Sequence, residues 1–328
     1  MRKWIAAGCT AVLAVGVVAC GSDDNSGGGG GSSSGSSGGK HYKMTLIAGV
    51  KGDEFYLTMN CGAQAEAKAK GVSLDFQGPD TFAPAQQTPI VNAVAAKKPD
   101  AVLVAPTDTK AMFAPIKQLA DNGSKVVFVD TTLEDPSMAV SQIASDNLKG
   151  GQMAAQALSK LIGGSGKVMV VNVDPGISTT DARAQGFAQG AKTAGLNYIG
   201  QQFDHDDPAK AASIVSATLS KNPDLKGIFA ANLFSAEGAA TALKQAGKLG
   251  KVKIVGFDAG PKQVQDLKAG LAQALIAQQP AQIGKDGVDQ ALAALQGKPV
   301  TKKIGTGFTV ITKDNLDQNQ SALYKSTC

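Results

Sequence analysis

From Tyr42 onward, short apolar runs alternate with longer segments whose apolar residues recur every three to four positions. The runs are Met44–Val50, Ala101–Ala105, Lys125–Val129, Lys167–Val173, Gly227–Ala231 and Val252–Phe257, each bounded by Gly, Pro, Asp or Asn. Runs this short cannot make a buried helix, and their boundaries are turn residues, so the pattern predicts strands. Between them, Met112–Ala120, Ala154–Ile162 and Ala236–Ala246 are rich in Ala, Leu, Lys and Gln at a spacing near 3.6, which predicts helices. Strand and helix in alternation imply an α/β fold of parallel sheets with helices on both faces.

The pattern also repeats. Lys98-Pro99-Asp100, a strand, a helix and a run ending on Asp130 form one unit; Asn222-Pro223-Asp224, a strand, a helix and a run ending on Asp258 form its echo. Two similar lobes follow. In open parallel sheets the carboxyl ends of the strands face the ligand crevice. Topology alone therefore puts Asp130 and Asp258 at the mouth of a cleft between lobes.

Length agrees, since 328 residues at roughly 150 per domain allow about two domains. Aromatics are only 5% of the chain and the basic residues form no block, which argues against a nucleic-acid partner. The four cysteines include no CxxC pair and no Cys/His cluster, so neither a metal site nor a cofactor is expected. The segment Gly163-Gly164-Ser165-Gly166-Lys167 fails as a phosphate loop because Val168 follows the lysine and opens a strand. With two histidines and no GxSxG pattern, triad hydrolysis has no support. Paired carboxylates keep a glycosidase as an alternative to a binding protein. A sensor that presents a ligand to a receptor is another. No helix-turn-helix pattern precedes Tyr42, which sets a repressor aside.

The first residues read as an address. Arg2 and Lys3 precede an uncharged stretch from Trp4 to Val18, whose roughly 22 Å as a helix falls short of a ~30 Å hydrocarbon core. The small residue before Cys20 resembles the lipobox of bacterial lipoproteins, which implies cleavage after residue 19 and a lipid on Cys20. An ordinary secretory peptide with an incidental cysteine is the alternative. Gly21 to Gly39 holds nine glycines and seven serines, a flexible tether. The expected organisation begins with a signal over 1–19 and a tether over 20–41. The mature chain would sit, as a monomer, on the outer face of the bacterial cytoplasmic membrane.

Six motifs now fall in order: Phe55-Tyr56 before Gly62-Ala63-Gln64; Ile143 to Asn147 before Gly150-Gly151; Arg183 before Gly186-Phe187; Phe229 to Asn232; Val255 to Asp258; and Gln278 to Gly284. Together they resemble the ribose-binding class of type I periplasmic sugar-binding proteins, from about Tyr42 to Thr312. The resemblance implies two Rossmann-like lobes joined by three hinge crossings, near Ser145, Gln279 and Gly307, with a first lobe over 42–145 plus 279–306 and a second lobe with a tail over 146–278 plus 307–328. It also implies one sugar held between the lobes and delivered to the membrane permease of an ABC importer. Carried over position by position, it places Phe55, Tyr56, Asp130, Arg183, Asn232, Asp258 and Gln278 in the pocket. Planar Asp, Asn, Gln and Arg groups can each meet two neighbouring hydroxyls, and aromatic rings cover the C–H faces of a sugar.

Three positions depart from that class. Asp53 stands where it has asparagine, Thr131 where it has arginine and Asp206 where it has an aromatic residue. All three are candidate ligand contacts, and they imply a neutral sugar or sugar alcohol other than ribose, since an anion beside uncompensated carboxylates would be costly to bury. Asp53 also reads as a helix N-cap, and Asp206 as a residue of a solvated turn. Asp130 and Asp258 could instead cap following helices, Arg183 could form an ion pair on its helix face, and Phe55 and Tyr56 could be plain core. With Cys9 lost in the signal and Cys20 lipidated, Cys61 and Cys328 remain in an exported chain, either as free thiols or as a disulfide that pins the tail.

Overall fold

The computed structural model describes residues 41–328, and the signal over 1–19, the lipid attachment at Cys20 and nearly all of the tether lie outside the described residues. Strand and helix alternate from the start: β1 (Lys43–Ile47), α1 (Glu54–Ala69), β2 (Ser73–Gln77), α2 (Pro84–Lys97), β3 (Ala101–Val104), α3 (Phe113–Asp121), β4 (Lys125–Val129) and β5 (Ala139–Ser145). The chain continues with α4 (Asn147–Ile162), β6 (Lys167–Asn172), α5 (Ser178–Thr193), β7 (Asn197–Phe203), α6 (Pro208–Lys221), β8 (Leu225–Ala230), α7 (Leu233–Gln245), β9 (Lys253–Phe257), α8 (Pro261–Ala269) and β10 (Ala274–Ala277). It closes with α9 (Pro280–Leu295), β11 (Lys303–Thr306), β12 (Thr309–Ile311) and a 3-10 segment, Leu316–Ala322.

These strands form two six-stranded sheets, ordered β11-β5-β4-β3-β1-β2 and β12-β10-β9-β8-β6-β7. Alternate strand residues face opposite sides, and both sides are apolar. In the first sheet Leu46, Leu103 and Val127 pack in one buried layer, while Ile47, Val102, Val104 and Phe128 pack in the other. In the second, Val168, Val170 and Phe229 lie on one face, and Met169, Val171 and Ile228 on the opposite one. The edge strands β2 and β7 are half exposed, which is why their sequences carry no continuous apolar run.

The chain passes between sheets three times: after β5, between β10 and α9, and between β11 and β12. The third passage adds one antiparallel edge to the otherwise parallel sheets. β11 lies parallel to β5, whereas β12 pairs antiparallel with β10. Strands of both sheets point their carboxyl ends at the cleft, so a strand leaving one sheet and running straight into the other enters it reversed. Of the two readings of Cys61 and Cys328, the disulfide that pins the tail is the one the structure contains. Grouped with the second lobe by the resemblance, the tail leaves β12 and ends on α1 of the first, where Lys325 N donates to Thr58 Oγ1 at 2.7 Å and Cys328 is disulfide-bonded to Cys61.

Candidate functional site

The site starts from the ends of two equivalent strands. Asp130 follows β4 with φ 65°, and Asp258 follows β9 with φ 79°. Left-handed backbone is uncommon outside glycine, and aspartate is among the residues that tolerate it. Each is fixed by its amide, Asp130 N to Ile143 O at 2.8 Å and Asp258 N to Ile276 O at 3.0 Å, so the two lobes turn alike at the same place.

Around this pair the first lobe supplies mainly rings. Asp53 caps α1 by accepting from Phe55 N at 2.7 Å, and the helix start it fixes carries Phe55 and Tyr56. Gly49 leaves the space that the Tyr56 and Phe82 rings occupy. The Tyr56 hydroxyl donates to Asp130 Oδ2 at 2.7 Å. From the second lobe comes Arg183 on α5, buried with its Nε donating to Asn147 Oδ1 at 2.8 Å, its Nη1 to Ala231 O at 2.8 Å, and its Cζ 3.8 Å from the Phe257 ring centroid. Asn232 caps α7 through its Oδ1 and donates from Nδ2 to Asp206 Oδ1 at 2.5 Å. Gln278, just past β10, donates from Nε2 to Asp258 Oδ1 at 2.7 Å.

These groups line one pocket at the strand ends of both lobes. It is lined by Asp53, Phe55, Tyr56, Asp130, Arg183, Asp206, Asn232, Asp258 and Gln278, nine of the ten candidate positions. Thr131 is the exception. Its hydroxyl donates to Pro106 O at 2.8 Å, because the left-handed turn at Asp130 sends the next residue away from the cleft.

Sequence reasoning missed Phe82, Val173, Ile177, Thr179 and Thr180, which complete the lining. Thr179 and Thr180 stand four and three positions before Arg183 on one helix, so helical spacing could have found them. Phe82, in the loop before α2, carried no such signal.

Four carboxylates and one guanidinium share this space. Burial pushes the Asp130 carboxyl up to about 6, against the opposing pull of Arg183 and the Tyr56 hydrogen bond. Burial likewise raises Asp206 to about 7, opposed by its bond from Asn232. Asp53 is raised well above the usual carboxylate range, first by burial and then by Asp258 and Asp206. Asp258 is raised by burial, with Arg183, Gln278 and Tyr324 pulling the other way. Three buried polar atoms among the described residues have no partner: Asp130 Oδ1, Thr180 Oγ1 and Gln278 Oε1. All three belong to residues that line the cavity.

Two sheets whose strand ends meet at one polar and aromatic pocket define a two-lobed solute-binding protein. A family model described as a periplasmic binding protein domain matches residues 44–299, and the chain belongs to that family. It is 31% identical over 273 residues to the ribose import binding protein of Salmonella typhimurium, covering 82% of this chain and 90% of that one. Among solved structures, an ABC transporter solute binding protein from Agrobacterium vitis bound with alpha-D-tagatopyranose is 46% identical, with a TM-score of 0.85 over 87% of this chain and 99% of that one. A second from Agrobacterium vitis, with bound D-fucose, is 32% identical with a TM-score of 0.82, covering 86% and 100%.

Proposed function

We propose that this chain binds a neutral sugar or sugar alcohol between its lobes and delivers it to the membrane permease of an ABC importer. The observation that carries the reading is the convergence of three unpartnered, buried polar atoms on one cavity. Leaving such an atom unsatisfied costs about 1–3 kcal/mol, and a polyhydroxylated ligand relieves all three at once. Its hydroxyls donate to Asp130 Oδ1 and Gln278 Oε1 and exchange a bond with Thr180 Oγ1. Phe55, Tyr56 and Phe82 cover its C–H faces. Neutrality follows from the charge balance, since an anion would join a surplus of buried carboxylates. The sugars named for the relatives, tagatose, fucose and ribose, support the same ligand class.

In this reading no bond is made or broken, and the family is one of binding proteins rather than of enzymes. The chain works as a monomer, outside the cytoplasmic membrane, held there by a lipid on Cys20 and by the tether. Closure around the ligand uses the three passages between sheets as hinges.

The test is a thermal-shift screen of the mature protein against pentoses, hexoses and polyols. A ligand at 100 times its Kd raises stability by about 2.7 kcal/mol. Small-angle scattering with the hit should show a smaller radius of gyration. No stabilisation by any neutral sugar or polyol would overturn the ligand class, and release of a cleaved product from glycosides would overturn the binding role.

A further inference from the structure

The C-terminal tail enters the site from outside both lobes. After β12 it runs through the segment Leu316–Ala322 to Tyr324, which is 5% exposed. Tyr324 is held on every side: its amide donates to Ala259 O at 3.0 Å, and its ring lies 6.0 Å from the Phe55 ring, centroid to centroid. Its hydroxyl donates to Asp258 Oδ1 at 3.0 Å and accepts from Gln278 N at 3.0 Å. One phenol thus bridges the two cavity residues that follow β9 and β10, at the second passage between sheets. One residue further on, Lys325 N reaches Thr58, and Cys328 closes the connection through Cys61 on α1.

We propose that this tail is a covalently closed fourth connection between the lobes, and that Tyr324 is a positioning residue for Asp258 and Gln278, kept in place by the Cys61–Cys328 disulfide. The role in ligand recognition rests on the sugar-binding reading above; the positioning does not. Two donors on one carboxylate oxygen leave Asp258 little rotational freedom, so its remaining oxygen meets a ligand hydroxyl at a set angle. Gln278 is held in the same way through its backbone, with its own Oε1 unpartnered at the cavity. Without the tail, Asp258 loses one of the two donors on Oδ1 and the Gln278 amide loses its acceptor. The disulfide matters because residues 325–328 are exposed and Lys325 is otherwise attached only through half-buried contacts with Thr58.

Two variants test this. Tyr324→Phe keeps the ring and removes the hydroxyl; Cys61→Ser with Cys328→Ser keeps the hydroxyl and releases the tail. In ligand-free protein labelled at the aspartate carboxyl carbon, the NMR signal of Asp258, assigned by its loss in Asp258→Asn, should titrate at higher pH in Tyr324→Phe, because a donor to the charged form is gone. The double serine variant should move it the same way by less, with faster amide exchange at residues 323–328. Calorimetry with D-tagatose should show affinity reduced by about tenfold in Tyr324→Phe, the scale of one hydrogen bond to a charged group. An unmoved Asp258 signal in Tyr324→Phe would overturn the positioning role. Unchanged exchange and titration in the double variant would overturn the part given to the disulfide. The titration needs no sugar, so failure of the wild-type protein to bind any sugar would count against the proposed function alone.

Discussion

The helix pair α1 and α9 in the first lobe and the pair α4 and α5 in the second are joined by the same device, used to different ends. In the first, a Cβ on Gly62 would stand 2.0 Å from Ala281 O, and one on Gly284 2.0 Å from Met59 O. In the second, a Cβ on Gly151 would stand 2.0 Å from Arg183 O, and one on Gly186 1.9 Å from Leu148 O. Reciprocal glycines let each pair touch backbone to backbone, closer than any side chain allows. In the first lobe the contact seats α9, the helix that follows the second passage between sheets. In the second lobe it seats Arg183, the one cation in the cavity. The cavity divides the same way: all three rings come from the first lobe, whereas the guanidinium and both threonines come from the second. The two lobes share one frame and bring different chemistry to it.

The largest expected effect is at the two glycine contacts. Gly284→Ala and Gly151→Ala should each destabilise by about 3 kcal/mol or more, the upper end of overpacking, because the added Cβ meets backbone that cannot swing aside. Only Gly151→Ala should also weaken binding out of proportion to stability, because it displaces Arg183; equal effects on binding would remove that distinction. Arg183→Met follows. Removing the donor to Asn147 and Ala231, whose charge also offsets Asp130 and Asp258 through space, should cost about 2 kcal/mol or more of stability at pH 7, and less at pH 5, where Asp130 can take up a proton. Urea unfolding at both pH values checks this; equal losses would mean that Arg183 acts by packing on Phe257 and not by charge. Next comes the pH dependence of the ligand-free wild type. Asp130 and Asp206 have folded values raised to about 6 and about 7, above their unfolded values. Their contribution is therefore full below the unfolded carboxylate range and is lost as pH rises through 6 to 7. Stability should fall on the order of 2 kcal/mol between pH 5 and 7, and Asp206→Asn should flatten the slope.

Asp258→Ala should leave folding nearly intact and cost at least about 2 kcal/mol of sugar binding. Calorimetry showing wild-type affinity would remove Asp258 from the site and leave the cleft asymmetric in carboxylates as well as in cations.

Much of this was legible along the chain because it is locally encoded. Buried parallel strands must be apolar on both faces, so β1, β3, β4, β6, β8 and β9 stand out as runs, and the repeat marks Asp130 and Asp258 as strand-end residues. The edge strands β2 and β7 were not legible, since exposure along one side removes the continuous apolar signal. Helical spacing held the information for Thr179 and Thr180 without its being used.

Other features have no local signature. The turn of Thr131 away from the cleft, the entry of Phe82, the reversed direction of β12, and the unpartnered oxygens on Asp130, Thr180 and Gln278 all depend on how distant segments meet. The tail is the clearest case. Cysteine arithmetic offered the Cys61–Cys328 pair as one of two alternatives, but nothing in the order of residues showed that the tail it anchors brings Tyr324 onto Asp258. Periodicity reports which face of an element is buried. Only the packed fold sets the angles and distances between side chains far apart in sequence, and those decide which polar atoms are satisfied and which are left for a ligand.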